Sequence, residues 1–248
     1  MDVALLITCL SDTFAPRVGV AVVRVLRHFG CTVHFPEAQS CCGQPAHNNG
    51  FNREATALAR RTVDAFEPFE YVVTPSGSCA TMVIEQFPKL LADDQAYAQR
   101  AQRMARRTHE FAGFLRDVLK VDLSRIDVSP AGPLTYHYSC HMRGICPVER
   151  SARDVGTLRG VDYRPLEGIE QCCGFGGAFN TLYPDISAAM TRDKLECIAA
   201  SGAATVVSNE TGCTLTMQGL ARRNGQAVAF KHLAEVLAEA LGLMDDAS

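Results

Sequence analysis

The sequence has 248 residues, 47% of them hydrophobic and 21% charged, with a formal net charge of −3. That length supports one large or two modest domains with real cores, and the charge balance gives no reason to invoke nucleic acid or an anionic membrane. No window approaches about 18 consecutive apolar residues and the N-terminus lacks a basic run, so neither a transmembrane segment nor a signal peptide is expected. The 11 cysteines are then expected in a reducing, cytoplasmic setting, where clustered thiols are metal ligands more often than disulfides.

In chain order, Val3 to Thr8 is a short apolar run ending at Cys9, the pattern of a strand buried on both faces. Pro16 opens a helix whose stripe is Val18, Val22, Val25, Leu26 and Phe29, and Gly30 stops it. Cys31 to Phe35 reads as a second strand, and its following loop carries Cys41-Cys42-Gly43. Asn52 is positioned to cap a helix with the face Ala55, Leu58, Ala59, Thr62, Val63 and Phe66. Tyr71-Val72-Val73 is a third strand, delivering Ser76-Gly77-Ser78-Cys79. Residues 88–122 then read as helical, with Arg100, Arg103, Arg106 and Arg107 as either a solvated face or a docking surface. Ser129-Pro130-Ala131-Gly132-Pro133 reads as a linker, which divides the chain into residues 1–128 and 129–248.

The second half repeats the plan. Leu134 to Tyr138 is a strand ending near Cys140, and Gly160 to Leu166 contains another before Cys172-Cys173-Gly174. Pro184 to Gly202 is a helix, Thr205-Val206-Val207 a strand leading to Cys213, and Leu233, Val236, Leu237, Ala240 and Leu241 the stripe of a last helix. Alternating strands and helices imply an α/β fold, two units each with a small parallel sheet flanked by helices.

Cysteines recur almost in register between the halves. Cys9 and Cys140, Cys41 and Cys172, and Cys42 and Cys173 each lie 131 positions apart, and Cys79 and Cys213 lie 134 apart. Each falls just past a strand, and loops at the C-terminal edge of a parallel sheet converge on one crevice. The spacing therefore predicts two metal sites of four thiolates. Structural zinc usually takes Cys-x2–4-Cys knuckles, which these eight lack, and adjacent cysteines tend to diverge, suiting a multi-iron cluster. Gly43, Gly174, Gly176 and Gly177 would let backbone N–H groups approach the cluster, or simply make tight turns.

These motifs resemble the CCG cysteine-rich domain of heterodisulfide reductase and of the iron–sulfur subunits of glycolate and glycerol-3-phosphate dehydrogenases. Across nearly the whole chain, Thr8-Cys9-Leu10, Ser40-Cys41-Cys42-Gly43-Gln44-Pro45-Ala46, Ser76-Gly77-Ser78-Cys79, Ser139-Cys140-His141, Cys172-Cys173-Gly174-Phe175-Gly176-Gly177 and Lys231-His232-Leu233-Ala234-Glu235-Val236 look like the lactate-utilisation protein A family. The resemblance implies two pseudo-duplicated CCG domains, the first with a helical insertion at about 88–122. It also implies an iron–sulfur subunit, with one or two 4Fe–4S clusters, of a multi-protein system oxidising L-lactate to pyruvate. A ferredoxin-like iron–sulfur subunit and a third protein would be its partners. The fuller CCG pattern ends in Cys-x-x-Cys, whereas here Ser76 and Glu210 occupy the earlier position. That leaves four thiolates per half and points away from disulfide-reducing chemistry.

Other readings stay open: a zinc-stabilised, partner-binding scaffold without a redox role, zinc in one site only, or a redox subunit acting on glycolate, glycerol 3-phosphate or a disulfide. Glu210 is an oxygen ligand or a surface carboxylate, and Cys146 a substitute ligand or a structural thiol. His137 and His141 flank Cys140 and are candidates to donate a hydrogen bond to a cluster thiolate or to shuttle a proton. His47 stands near the first crevice, and His232 opens the last helix. Cys31 and Cys197, the latter on a face with Ile186 and Met190, read as small buried hydrophobes.

Overall fold

A computed structural model describes residues 1–129 and 132–244 and divides the chain into two compact units, Met1–Leu119 and Lys120–Ser248. The boundary precedes the proline-rich linker, of which Pro130 and Ala131 lie outside the described residues.

The first unit holds strands β1 (Asp2–Leu5), β2 (Thr32–His34), β3 (Tyr71–Thr74) and β4 (Thr108–Glu110) in the order β2-β1-β3-β4, all parallel. The second holds β5 (Pro133–His137), β6 (Asp162–Tyr163), β7 (Thr205–Ser208) and β8 (Ala229–His232) in the order β6-β5-β7-β8, again all parallel. The central strands are buried runs with almost no alternation, as a sheet covered on both faces requires. The strand order reverses between β1 and β3, and between β5 and β7. The C-terminal side of each reversal is where parallel sheets open a crevice.

Helix faces follow the apolar periodicity. The Pro16–His28 helix buries Val18, Ala21, Val22, Val25 and Leu26, and the Asn52–Phe66 helix buries Ala55, Ala59, Thr62, Val63 and Phe66. Asn52 is the first helical residue rather than the cap; Phe51 holds the cap position without a side-chain bond. In the second unit, the Pro184–Ser201 helix buries Ser187, Thr191, Lys194, Leu195 and Ile198. Its inward face is therefore one position on from the expected stripe. Ile186 is 56% exposed, and Cys197 is half-buried with its thiol against Gln171 Oε1 at 3.6 Å.

The segment 88–122 is not helical throughout. A helix, Ala98–Arg107, runs into β4, the counterpart of β8, and apolar periodicity signals neither edge strand. Both are short and carry charged residues, so their apolar signal is weak. Glu110 ends β4 31 residues after Cys79, whereas His232 ends β8 19 residues after Cys213. The first unit thus carries 12 extra residues here.

The extra helix buries Ala101 and Met104 and is held by its arginines. Arg100 bonds Asp64 and Glu67 at 2.7 Å each and lies over the Tyr97 ring at 4.7 Å, Arg103 bonds Glu67 at 3.2 Å, and Arg107 donates to the Phe66 and Glu67 carbonyls. Three of the four arginines thus fasten one helix to the end of another. His232 caps the last helix, Leu233–Ala240, in a capping box with Glu235.

Candidate metal centres

Each quartet of repeated cysteines is assembled by the loops after three strands. Cys9 begins the short Cys9–Phe14 helix after β1, where the Thr8 hydroxyl accepts from the Ser11 N–H at 3.1 Å. The loop bearing Cys41 and Cys42 is clamped to the end of β1 by Gln39, whose amide accepts from Ile7 N at 3.0 Å and donates to Leu5 O at 3.2 Å. It is tied to the loop after β3 by Gln44, which donates to Ser78 O at 3.3 Å. Cys79 lies in the first turn of the Gly77–Thr81 helix, with its N–H bonded to the cap residue Ser76 at 3.1 Å.

The four sulfurs of the first unit form a continuous chain. Cys9 Sγ and Cys41 Sγ are 3.8 Å apart, Cys41 contacts Cys42, and Cys42 Sγ and Cys79 Sγ are 3.2 Å apart. In the second unit Cys140 contacts Cys172, Cys172 contacts Cys173, and Cys173 contacts Cys213, the same order of contacts. Within each doublet the two thiols interact, Cys41 with Cys42 and Cys172 with Cys173. Gly43 and Gly174 hold φ of +84° and +88°, and their N–H groups donate to Cys41 Sγ at 3.5 Å and Cys172 Sγ at 3.4 Å. A Cβ on Gly174 would lie 2.5 Å from Ser187 O. Gly176 and Gly177, at φ +54° and +66°, turn the chain into the Phe179–Leu182 helix.

Each quartet has an inner and an outer edge. Cys42, Cys79, Cys173 and Cys213 are buried, Cys41, Cys140 and Cys172 are half-buried, and Cys9 is exposed. Contacts from Cys42 and Cys9 hold Cys41 far below the usual thiol range, and contacts from Cys140 and Cys173 do the same for Cys172. Their neighbours Cys9, Cys42, Cys140 and Cys173 are pushed up, by sharing a proton with that thiolate and by burial. Each quartet thus strings four sulfurs in a chain with one favoured thiolate inside it, a donor set of the kind a thiophilic metal takes. Unpartnered buried polar atoms, Ser40 Oγ and His47 Nδ1 in the first unit and Ser139 Oγ with both His137 nitrogens in the second, mark polar surroundings left unpaired by protein groups.

The remaining candidates separate by contact. His137 lies with Cys173 and Cys213, their ligand atoms all within 4.8 Å of one another. His141 Nδ1 lies 3.6 Å from Cys140 Sγ. Cys146 is buried, its thiol accepting from Ser151 Oγ at 3.3 Å and its carbonyl from Tyr138 OH at 2.6 Å, the ties of a structural thiol. Glu210 is buried at the cap position of the Thr211–Arg223 helix, the place Ser76 takes in the first unit.

Lys194 is a member of the second site's surroundings that periodicity hid. It is fully buried and donates to Gly168 O at 2.9 Å and Ile169 O at 3.1 Å, bracing the loop before Cys172. Its signal in the sequence is a lysine in register with the apolar stripe Leu195 and Ile198.

The CCG cysteine-rich domain model matches residues 3–84 and 134–218, one copy in each unit. The chain is 41% identical over 238 residues to lactate utilization protein A of Bacillus cereus strain G9842, covering 96% of this chain and 98% of that one. It is 42% identical over 239 residues to lactate utilization protein A of Shouchella clausii, with the same coverage. A solved structure titled as a putative Asp/Glu racemase from Yersinia pestis covers 98% of both chains at 10% identity and a TM-score of 0.39, a level that carries no argument.

Proposed function

The chain belongs to the lactate utilization protein A family of CCG cysteine-rich domain proteins, and on that premise we propose that it is an electron-carrying subunit in the oxidation of L-lactate to pyruvate. The observation that carries this reading is the pair of sulfur chains, one per unit, each buried at one edge and more accessible at the other. Electron exchange with a partner needs an accessible edge, which the exposed Cys9 supplies in the first unit and the half-buried Cys140 and Cys172 in the second.

Cys9, Cys41, Cys42 and Cys79 would hold one 4Fe–4S cluster, and Cys140, Cys172, Cys173 and Cys213 a second. Such a cluster, when bound, supplies one-electron uptake and release. The Gly43 and Gly174 N–H groups donate to Cys41 and Cys172 and spread the thiolate charge. Cys9 and Cys140 present the outer edge of each quartet toward a docked carrier. Taking two electrons from a hydroxy acid requires a two-electron acceptor, so we assign substrate oxidation to the assembled system: this chain, a ferredoxin-like iron–sulfur subunit and a third subunit, in the cytoplasm. Ser76 and Glu210 leave each site with four thiols, which sets disulfide reduction aside.

Zinc is the second reading, favoured by one distance. Cys9 Sγ and Cys41 Sγ are 3.8 Å apart, close to the edge of about 3.8 Å that Zn–S bonds of about 2.3 Å give a tetrahedral site.

The test of function is turnover by the co-purified complex with an artificial acceptor on L-lactate, glycolate and glycerol 3-phosphate. L-lactate should be oxidised fastest; equal or higher rates on the others reject the substrate.

A further inference from the structure

The two quartets share an outline but not their surroundings. Val3 pairs with Tyr71 in the first sheet and Leu134 with Thr205 in the second, so these pairs are equivalent. Three residues further along each central strand stand Leu6 and His137. Leu6 packs in one apolar cluster with Cys42 and Cys79. His137 is fully buried, yet neither of its ring nitrogens has a hydrogen-bond partner.

A second difference comes from the helix behind each site. The buried positions Ala55, Ala59, Thr62, Val63 and Phe66 recur with identical spacing as Ser187, Thr191, Lys194, Leu195 and Ile198. Thr62, with its hydroxyl on Leu58 O, is therefore the counterpart of Lys194, whose ammonium is fixed on two carbonyls. Where the first unit has a leucine and a threonine, the second has an imidazole and a buried cation.

An unpaired polar group in a protein interior is costly, so an orphaned imidazole calls for a partner. A neutral imidazole keeps one nitrogen lone pair, the form in which histidine binds metals. One His137 ring nitrogen and the sulfurs of Cys173 and Cys213 are mutually within 4.8 Å, the one such trio of candidate ligands among the described residues. No hydrogen bond from another described residue engages that lone pair.

We propose that His137 is a ligand of the second metal centre, which makes that centre a mixed thiolate–imidazole site while the first is held by thiolates alone. The inference rests on reading the quartets as metal centres but not on which metal they bind. Histidine in place of a hydrocarbon brings a neutral donor to the inner edge, and Lys194 adds a fixed positive charge behind it.

The experiment uses the full-length chain, reconstituted anaerobically, and a Cys41→Ser/Cys42→Ser variant in which only the second centre remains. X-ray absorption at the edge of the bound metal should find a nitrogen neighbour beside sulfur in that variant. If the metal is iron, pulsed EPR of the reduced centre should show the strong nitrogen coupling of a coordinated imidazole, altered by 15N-histidine labelling. The His137→Leu variant, which installs the first unit's residue, should lose the nitrogen signal. Should that variant fail to fold, histidine labelling of the chain with native His137 still decides. Sulfur-only scattering with no histidine coupling at the second centre overturns the proposal. Zinc with a nitrogen neighbour overturns the electron-carrying role and upholds the ligand, and no metal in either unit overturns both.

Discussion

Gly174 shows how a single residue fixes the geometry of a site. Its φ of +88° lies where side chains are disfavoured, and a Cβ there would meet Ser187 O at 2.5 Å. Gly177 has a similar φ of +66° but open space around it. Gly174→Ala should therefore destabilise the second unit by about 3 kcal/mol, from strain and displaced backbone together. Gly177→Ala should cost only about 1–2 kcal/mol. Urea unfolding of both variants checks the order; equal losses would show that the close approach to Ser187 is relieved cheaply.

Ser76 is a second case. It replaces a cysteine of the fuller motif, and its hydroxyl instead caps Cys79 N–H at 3.1 Å and contacts Ser78 Oγ at 3.0 Å. Ser76→Ala should lower stability by about 1 kcal/mol through loss of the cap. Metal content should stay unchanged, because the thiols are untouched; a fall in bound metal would make Ser76 a ligand.

At the scale of elements, the Ala98–Arg107 helix is an addition to the first unit, and its attachment is ionic on one face and apolar on the other. Arg100 is 25% exposed in its side chain and joins Asp64, Glu67 and the Tyr97 ring, a network rather than an isolated pair. Arg100→Ala should cost about 1 kcal/mol, part of it reversed by salt. Denaturation at low and high ionic strength measures both; a loss independent of salt would assign the effect to packing on Tyr97.

The periodic helices Pro16–His28 and Asn52–Phe66 are legible in the sequence because their apolar positions recur at helical spacing. β4 and β8 are not, since short edge strands such as Thr108–Glu110 carry no alternation long enough to distinguish. The buried face of Pro184–Ser201 lies one position from the apolar stripe because Ser187, Thr191 and Lys194 face inward. Their polar atoms are spent on the metal-site loop: Ser187 Oγ on Gly174 O, Thr191 Oγ1 on Cys173 O, and Lys194 on Gly168 O and Ile169 O.

Across the whole molecule, duplication makes the architecture readable. Cysteine offsets of 131 and 134 residues locate both strand-end crevices, because in a parallel sheet the loops after adjacent strands must meet. What the offsets cannot carry is the divergence between the copies. Leu6 against His137, and Thr62 against Lys194, emerge only when strand register and helix burial align the two units.

The central claim is that each unit holds an iron–sulfur centre at its cysteine quartet. Anaerobic reconstitution followed by analysis of iron, acid-labile sulfide and zinc tests it most directly. The account predicts about eight irons and about eight sulfides per chain, absorption near about 400 nm, and loss of about half of both on Cys172→Ser/Cys173→Ser substitution. Zinc in both sites, with no sulfide and no visible absorption, would contradict it.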